Sequence, residues 1–407
     1  METFADPPPA PRPMAPVRRS ERVALIDILR GFALLGILLV NMQMFGAPLK
    51  LWFSQVEWWP GPLDQAAKLF ILFFAQGKFY TLFSILFGLG LAIQLERAEA
   101  RGVHSARFFA RRMVWLLMIG LGHAFLIWMG DILVSYALVG FLLIPFRKRE
   151  LKTLVVWTVV LMLLPLLIFA VPTFLVETPE RNPDEMLEQI ENATAAYSSG
   201  DLGRIFAQRA QDVGMIWLFS FLSFPNFLAL FLIGLNLGRR RFFQNLESNL
   251  PFVRRWIWRL LALGVVGNAA MVIAMELAPD PMSPIAYVGQ IFMTFGAPAM
   301  TLFYISSLAL LVQREQWARR LAPIAAVGRM ALTNYLLQSL VCTAIFNGYG
   351  WPGLYGRVST FGGLLLTLAI YLFQIPLSNW WLGRFRFGPA EWVWRSLTYR
   401  RPQPMRL

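Results

Sequence analysis

The sequence is poor in the residues on which much soluble biochemistry is built. It has one cysteine, Cys342, inside an apolar stretch, so neither a disulfide framework nor a cysteine-based metal site can be assembled. It has two histidines, His104 and His123. Only 15% of its 407 residues are charged, against about a quarter in soluble globular proteins. Acidic residues are the scarcer sign, with 23 Asp and Glu against 37 Lys and Arg, for a net charge of +14. There is no P-loop, no dinucleotide fingerprint and no zinc motif, and Gly88-Leu89-Gly90 reads as helix packing. A basic excess of this size would suit a nucleic-acid binder. What is abundant excludes that reading: 57% of the chain is hydrophobic, with 34 Phe and 15 Trp. The apolar residues come in blocks of about 20, the length that crosses a bilayer as a helix. The expected fold class is an all-α polytopic membrane protein, with lipid and not nucleic acid as its surroundings.

The blocks predict about ten helices, near 23–44, 66–94, 110–129, 131–146, 152–176, 213–238, 256–277, 285–312, 326–346 and 359–383. Basic residues fall in alternate connections and at both ends, as in Arg107/Arg111/Arg112, Arg147-Lys148-Arg149, Arg239-Arg240-Arg241 and Arg314/Arg319/Arg320. The other connections are poor in Lys and Arg, and the longest, 177–212, is acidic. Basic loops stay cytoplasmic, so both termini are expected on the cytoplasmic side of the membrane. The basic face would attract anionic inner-leaflet lipid. The domain plan is a Pro/Arg-rich tail over 1–22, taken as disordered, a ten-helix domain over 23–383, and a tail over 384–407. That tail interleaves Arg with Phe and Trp and reads as interfacial. The insertion at 177–212 is expected to hold one or two short surface helices. Helix 1 is expected to be an uncleaved anchor. No internal repeat is visible, and a homodimer is expected.

Ionisable and strongly polar groups inside such spans are costly and point to function. Lys78, in Gln76-Gly77-Lys78-Phe79, lies deep in the second span. It needs a carboxylate, backbone carbonyls or water, and is either a structural pair or an anion and oxyanion binder. His123 lies equally deep in the third span; it is either a satisfied core group or a general base. Asp131, at the end of the same hairpin, can orient that imidazole, pair with Lys78, or cap the next helix. Asn334 and Gln338 are four apart and share a helix face; such amides bond neighbouring helices or line a site. Asp27 and Arg30, three apart at the inner start of helix 1, suit a pair, and Asn41 and Gln43 mark its outer end. Arg329 sits at the inner boundary, within reach of lipid or cofactor phosphate. Pro225-Asn226 predicts a kink with freed carbonyls. The polar set is expected to converge in the outer half of the bundle.

Several of these segments resemble one known family. Leu25-Ile26-Asp27-Ile28-Leu29-Arg30-Gly31, Gly77-Lys78-Phe79-Tyr80-Thr81-Leu82-Phe83-Ser84, Gly122-His123 with Gly130-Asp131-Ile132-Leu133, Gly328-Arg329-Met330-Ala331-Leu332-Thr333-Asn334-Tyr335 and the tail Gly388-Pro389-Ala390-Glu391-Trp392 are similar to those of the YeiB-like bacterial inner-membrane proteins. The helix 1 motif also resembles that of the transmembrane acyltransferases, of the acyltransferase-3 and heparan-glucosaminide acetyltransferase types. That resemblance implies a ten-helix core moving an acyl group from a cytoplasmic acyl-CoA to an acceptor on the far side. In the acyltransferase-3 pattern a catalytic His follows the helix 1 Arg after ten residues; here Asn41 stands at that distance from Arg30. His123 is then the membrane-embedded His left to act as base.

Two functions follow as expectations. In an acyltransferase, Arg30 or Arg329 would hold the acyl-CoA phosphates, His123 with Asp131 would deprotonate the acceptor, and Lys78 and Asn334 would steady the oxyanion. No metal is expected. In a transporter or exporter of a small anionic or lipid-like solute, Lys78 would be the counter-charge and His123 with Asp131 a proton relay.

Overall fold

A computed structural model describes residues 23–54, 56–100, 105–175 and 182–407. The expectations for the 1–22 tail and for His104 lie outside the described residues. Fourteen α-helices follow one another among them: α1 (Ala24–Phe45), α2 (Pro62–Phe74), α3 (Lys78–Glu99), α4 (Ser105–Gly122), α5 (Leu133–Leu143), α6 (Leu151–Leu175), α7 (Pro183–Ser198), α8 (Leu202–Arg239), α9 (Leu246–Leu277), α10 (Pro284–Leu311), α11 (Glu315–Arg329), α12 (Ala331–Phe346), α13 (Thr360–Leu382) and α14 (Pro389–Tyr399). A π-helical turn, His123–Ile127, extends α4. No strand forms among the described residues, apart from one isolated bridge between Phe385 and Arg406. The chain is an all-α polytopic membrane protein.

Eight helical runs are long and apolar enough to cross a bilayer: α1, the α2–α3 run, α4 with its π turn, α6, α8, α9, α10 and α13. The other two expected spans are shorter than the sequence suggests. The 131–146 span is the 11-residue α5 followed by a 3-10 turn over Ile144–Lys148. Asp131 bonds Val134 N at 2.7 Å, which delays the helix start, and Pro145 cannot supply the N–H that would prolong it. The 326–346 span divides at Met330 into the end of α11 and the 16-residue α12. The expected kink at Pro225 is not a break, because α8 runs through it for 38 residues. The acidic insertion holds α7, as expected, but its second half is the beginning of α8 and no separate surface helix.

Burial sorts the helices into a centre and a rim. In its apolar window α1 is 72% buried, whereas α6 is 22% buried and turns most of its side chains outward, as a lipid-facing helix does. Around α1 pack α3, α11, α12 and α13, and α3 in turn lies along α8. Gly88 abuts the α8 backbone at Phe231, which bears out its packing role. The basic turns gather at one end: Arg239 donates to the Arg149 carbonyl, and Arg241 pairs with Glu96. The start of α1 and the end of α13 share a cavity at that end.

The 384–407 tail is more than an interfacial strap. Glu391 of α14 reaches the start of α12, where its Oε1 accepts from Leu332 N at 2.6 Å and Thr333 N at 3.1 Å, and its Oε2 accepts from the Thr333 hydroxyl at 2.6 Å. These are the orphan donors of a helix N-terminus, so one helix is capped by another. Burial pushes the Glu391 carboxyl up from its usual range, and its bonds to Thr333 and Leu332 pull it part of the way back. Trp394 donates to the Arg112 carbonyl at 3.0 Å, and the Arg112 guanidinium lies 3.6 Å over its ring.

Candidate functional site

The third span closes into a hairpin through an irregular turn. Gly120 makes this possible, because a Cβ there would stand 2.7 Å from Val134 N and 3.0 Å from the Leu133 Cβ. The helix then widens into the π turn, with Trp128 N bonded to His123 O at 2.9 Å, a geometry often found at functional sites. This places His123 and Asp131 face to face: His123 Nδ1 and Asp131 Oδ1 are 2.8 Å apart, both fully buried. The other carboxylate oxygen accepts from Val134 N. Asp131 therefore orients the imidazole and caps α5 at once, while its possible pairing with Lys78 does not occur. The carboxylate contact favours the Nδ1–H tautomer. That leaves Nε2 as the free acceptor, and Nε2 is buried with no protein hydrogen-bond partner.

Tyr335 of α12 steadies this arrangement from the far side. Its hydroxyl donates to Gly130 O at 3.3 Å and accepts from Ile132 N at 3.4 Å, on either side of Asp131. Its ring lies 5.1 Å from the imidazole. Trp128 approaches the imidazole edge-on at 6.4 Å and stacks on Phe45 at 3.9 Å.

Asp131 also forms part of the wall of a cavity of ≈ 300 Å³. Polar atoms reach this wall from Asn41, Gln76, Tyr80, Ser135, Ser220 and Ser223, and aromatic rings from Trp52, Phe79, Phe219 and Phe227. Among the described residues, no Lys or Arg lines it. Gln76 Oε1 is buried there without a partner. The cavity exists because α2 and α3 part at Ala75–Gly77. Gly77 adopts φ +84°, a left-handed conformation that glycine takes at no steric cost.

The remaining sequence candidates have other placements. Lys78 is fully buried, but it donates to Leu72 O at 2.9 Å and does not line the cavity. It caps the C-terminal end of α2, where a cation suits the helix dipole. Asn334 donates to Val327 O at 3.1 Å and the Ser378 hydroxyl at 3.0 Å, and Gln338 donates to Gln374 at 2.8 Å. Both amides join helices, and neither lines the cavity. Asp27 and Arg30 do pair, at 3.2 Å. Asp27, Arg329 and Asn379 line the second cavity, of ≈ 440 Å³, at the basic end. Asp131, Asn41 and Gln76 thus share the first cavity, with His123 bonded to Asp131 but outside the lining, while Asp27 and Arg329 belong to the second.

Reading the sequence missed a buried network beside the hairpin. Arg209 is 2% exposed and donates to Leu126 O at 2.7 Å and Phe125 O at 3.4 Å. Asp212 accepts from the Tyr197 hydroxyl at 2.7 Å and from Gln208 at 3.0 Å. Burial and the nearby Asp212 push the Tyr197 hydroxyl well up. The signal was available: Ile205, Arg209, Asp212 and Val213 are all buried, at the 4-3-1 spacing of one helix face.

The comparisons agree with the resemblance noted in the sequence. The family described as "Protein of unknown function (DUF418)" matches residues 237–401. The "Uncharacterized protein YxaH" of Bacillus subtilis is 37% identical over 96% of this chain and 98% of its own length. The chain belongs to the YeiB-like DUF418 family. The Escherichia coli "Uncharacterized protein YeiB" is 32% identical over 94% of the chain and 98% of its own. Both alignments span nearly all of the chain.

Proposed function

We propose that this protein is an acyltransferase of the bacterial plasma membrane, moving an acyl group from an acyl-CoA-like donor to a hydroxyl- or amine-bearing acceptor in the ≈ 300 Å³ cavity. The observation that carries this reading is the His123–Asp131 pair at 2.8 Å, with Nε2 unpartnered, beside a cavity that Asp131 lines. An imidazole so oriented is a general base. Nε2 takes the acceptor's proton as its oxygen or nitrogen attacks the thioester carbonyl. The C–S bond then breaks, and the thiolate leaves with that proton as free CoA thiol. Side-chain amides in the wall, Asn41 and Gln76, are the donors available to the oxyanion. The basic end, with Arg329 in its own cavity, suits the donor's phosphates. Among the described residues no Lys or Arg lines the cavity, which weighs against the alternative of an anion carrier.

The test uses the purified full chain in lipid nanodiscs, acetyl-CoA labelled in its acetyl group, and a bacterial membrane extract as acceptor. Label transfer and thiol release are expected together, and His123→Ala should cut both by about 10²–10⁴-fold, the range of general-base catalysis. Equal transfer by wild type and His123→Ala would overturn the proposal.

A further inference from the structure

The turn that carries His123 ends at the apolar surface of the bundle, with Phe125 and Leu126 exposed, and that end has a chemical problem. The last carbonyls of a helix have no N–H partners within it, and in lipid no water replaces them. After the π turn the chain leaves the helix at Trp128, whose backbone is extended. The carbonyls of Phe125 and Leu126 then need donors from elsewhere.

Arg209 supplies them. It stands 83 and 84 residues further along the chain, on α8, and its Nη1 reaches both oxygens. Its guanidinium lies 5.1 Å from the Phe206 ring. The neighbouring acid does not hold it: Asp212 gives its carboxylate to Tyr197 and Gln208. A cation at a helix C-terminus also meets the negative end of the dipole. We infer that Arg209 is a positioning residue for His123: it caps the π turn from another helix, and so holds the imidazole on Asp131 with Nε2 free. The functional weight of this inference rests on the acyl-transfer reading, but its test does not require turnover.

The chain contains two histidines, so His104→Gln leaves His123 as the single imidazole. The full chain, labelled with ¹⁵N-histidine and held in nanodiscs, then reports one ring by NMR. With Arg209 present, a single ring form with its proton on Nδ1 is expected, with the far-downfield proton of a carboxylate-bound N–H. Arg209→Gln should replace this with averaged tautomers and the loss of the downfield proton. Arg209→Lys keeps the charge on a shorter side chain, and should keep the single tautomer with a shifted, broadened line. An Arg209→Gln chain that elutes as wild type and gives the wild-type spectrum would overturn the inference. If Arg209→Gln yields no folded protein, the Arg209→Lys spectrum decides, and a line identical to wild type overturns it. An altered spectrum in Arg209→Gln beside a wild-type chain that transfers no acyl group would refute the acyl-transfer reading alone.

Discussion

Two helices end in the half of the bundle away from the basic turns, and each ends near a buried ionisable group. α2 stops at Phe74, four residues before Lys78; the α4 run stops at Ile127, four residues after His123. In the first, the local cation turns back onto the helix it follows, and Lys78 caps Leu72 O. In the second, the capping is delegated to Arg209 on a distant helix, and the local imidazole pairs with Asp131. Both groups are equally buried and equally conspicuous in the sequence. The difference lies in which of them is used to satisfy backbone carbonyls. A buried charge that closes a helix end has its bonding capacity committed to the fold, whereas one relieved of that duty keeps a nitrogen for chemistry.

This contrast can be broken by exchanging losses of activity and stability. The largest expected effect is that of His123→Ala, which should lower acyl transfer by about 10²–10⁴-fold with little change in thermal stability. Asp131→Asn comes next. The amide cannot enforce the Nδ1–H tautomer, so transfer should fall by roughly 10²-fold, within the range for a lost general base, while the cap on Val134 partly survives. Lys78→Met should do the reverse. It leaves Leu72 O without its donor, at about 1–3 kcal/mol, seen as an earlier thermal transition with transfer per folded molecule near wild type. Gly120→Ala should separate α4 from α5, at about 1–3 kcal/mol for overpacking, and lower transfer by displacing the hairpin. Smallest is Tyr335→Phe, which removes the bonds to Gly130 and Ile132 and should cost about 1 kcal/mol, with a modest loss of transfer. A dead Lys78→Met enzyme beside an active Asp131→Asn one would reverse the assignment.

Much of the bundle is legible in the sequence because the bilayer imposes length and composition on every span. His123 and Asp131 are legible for the same reason, since charge is rare where they stand. Their contact is not, because eight residues of hairpin separate them and the distance depends on a π turn that no spacing rule signals. The two short spans, α5 and α12, mislead for a related reason: apolar composition continues past the points where Asp131, Pro145 and Met330 interrupt the helix. Asn334 and Gln338 were rightly read as sharing a face, but which face depends on α13, where Ser378 and Gln374 receive them. Arg209 was hidden by its address, an acidic connection where an arginine reads as solvated. Only the early start of α8 at Leu202 brings it under cover.

The most direct test of the account is a cryo-EM structure of the protein in nanodiscs with a non-hydrolysable acyl-CoA analogue. The account predicts an elongated ligand whose phosphates lie at the basic end and whose acyl carbonyl lies at the cavity wall formed by Asn41, Gln76 and Asp131, with His123 Nε2 facing the acceptor position. A ligand held by Lys78, with that cavity empty and the imidazole turned from Asp131, would contradict it.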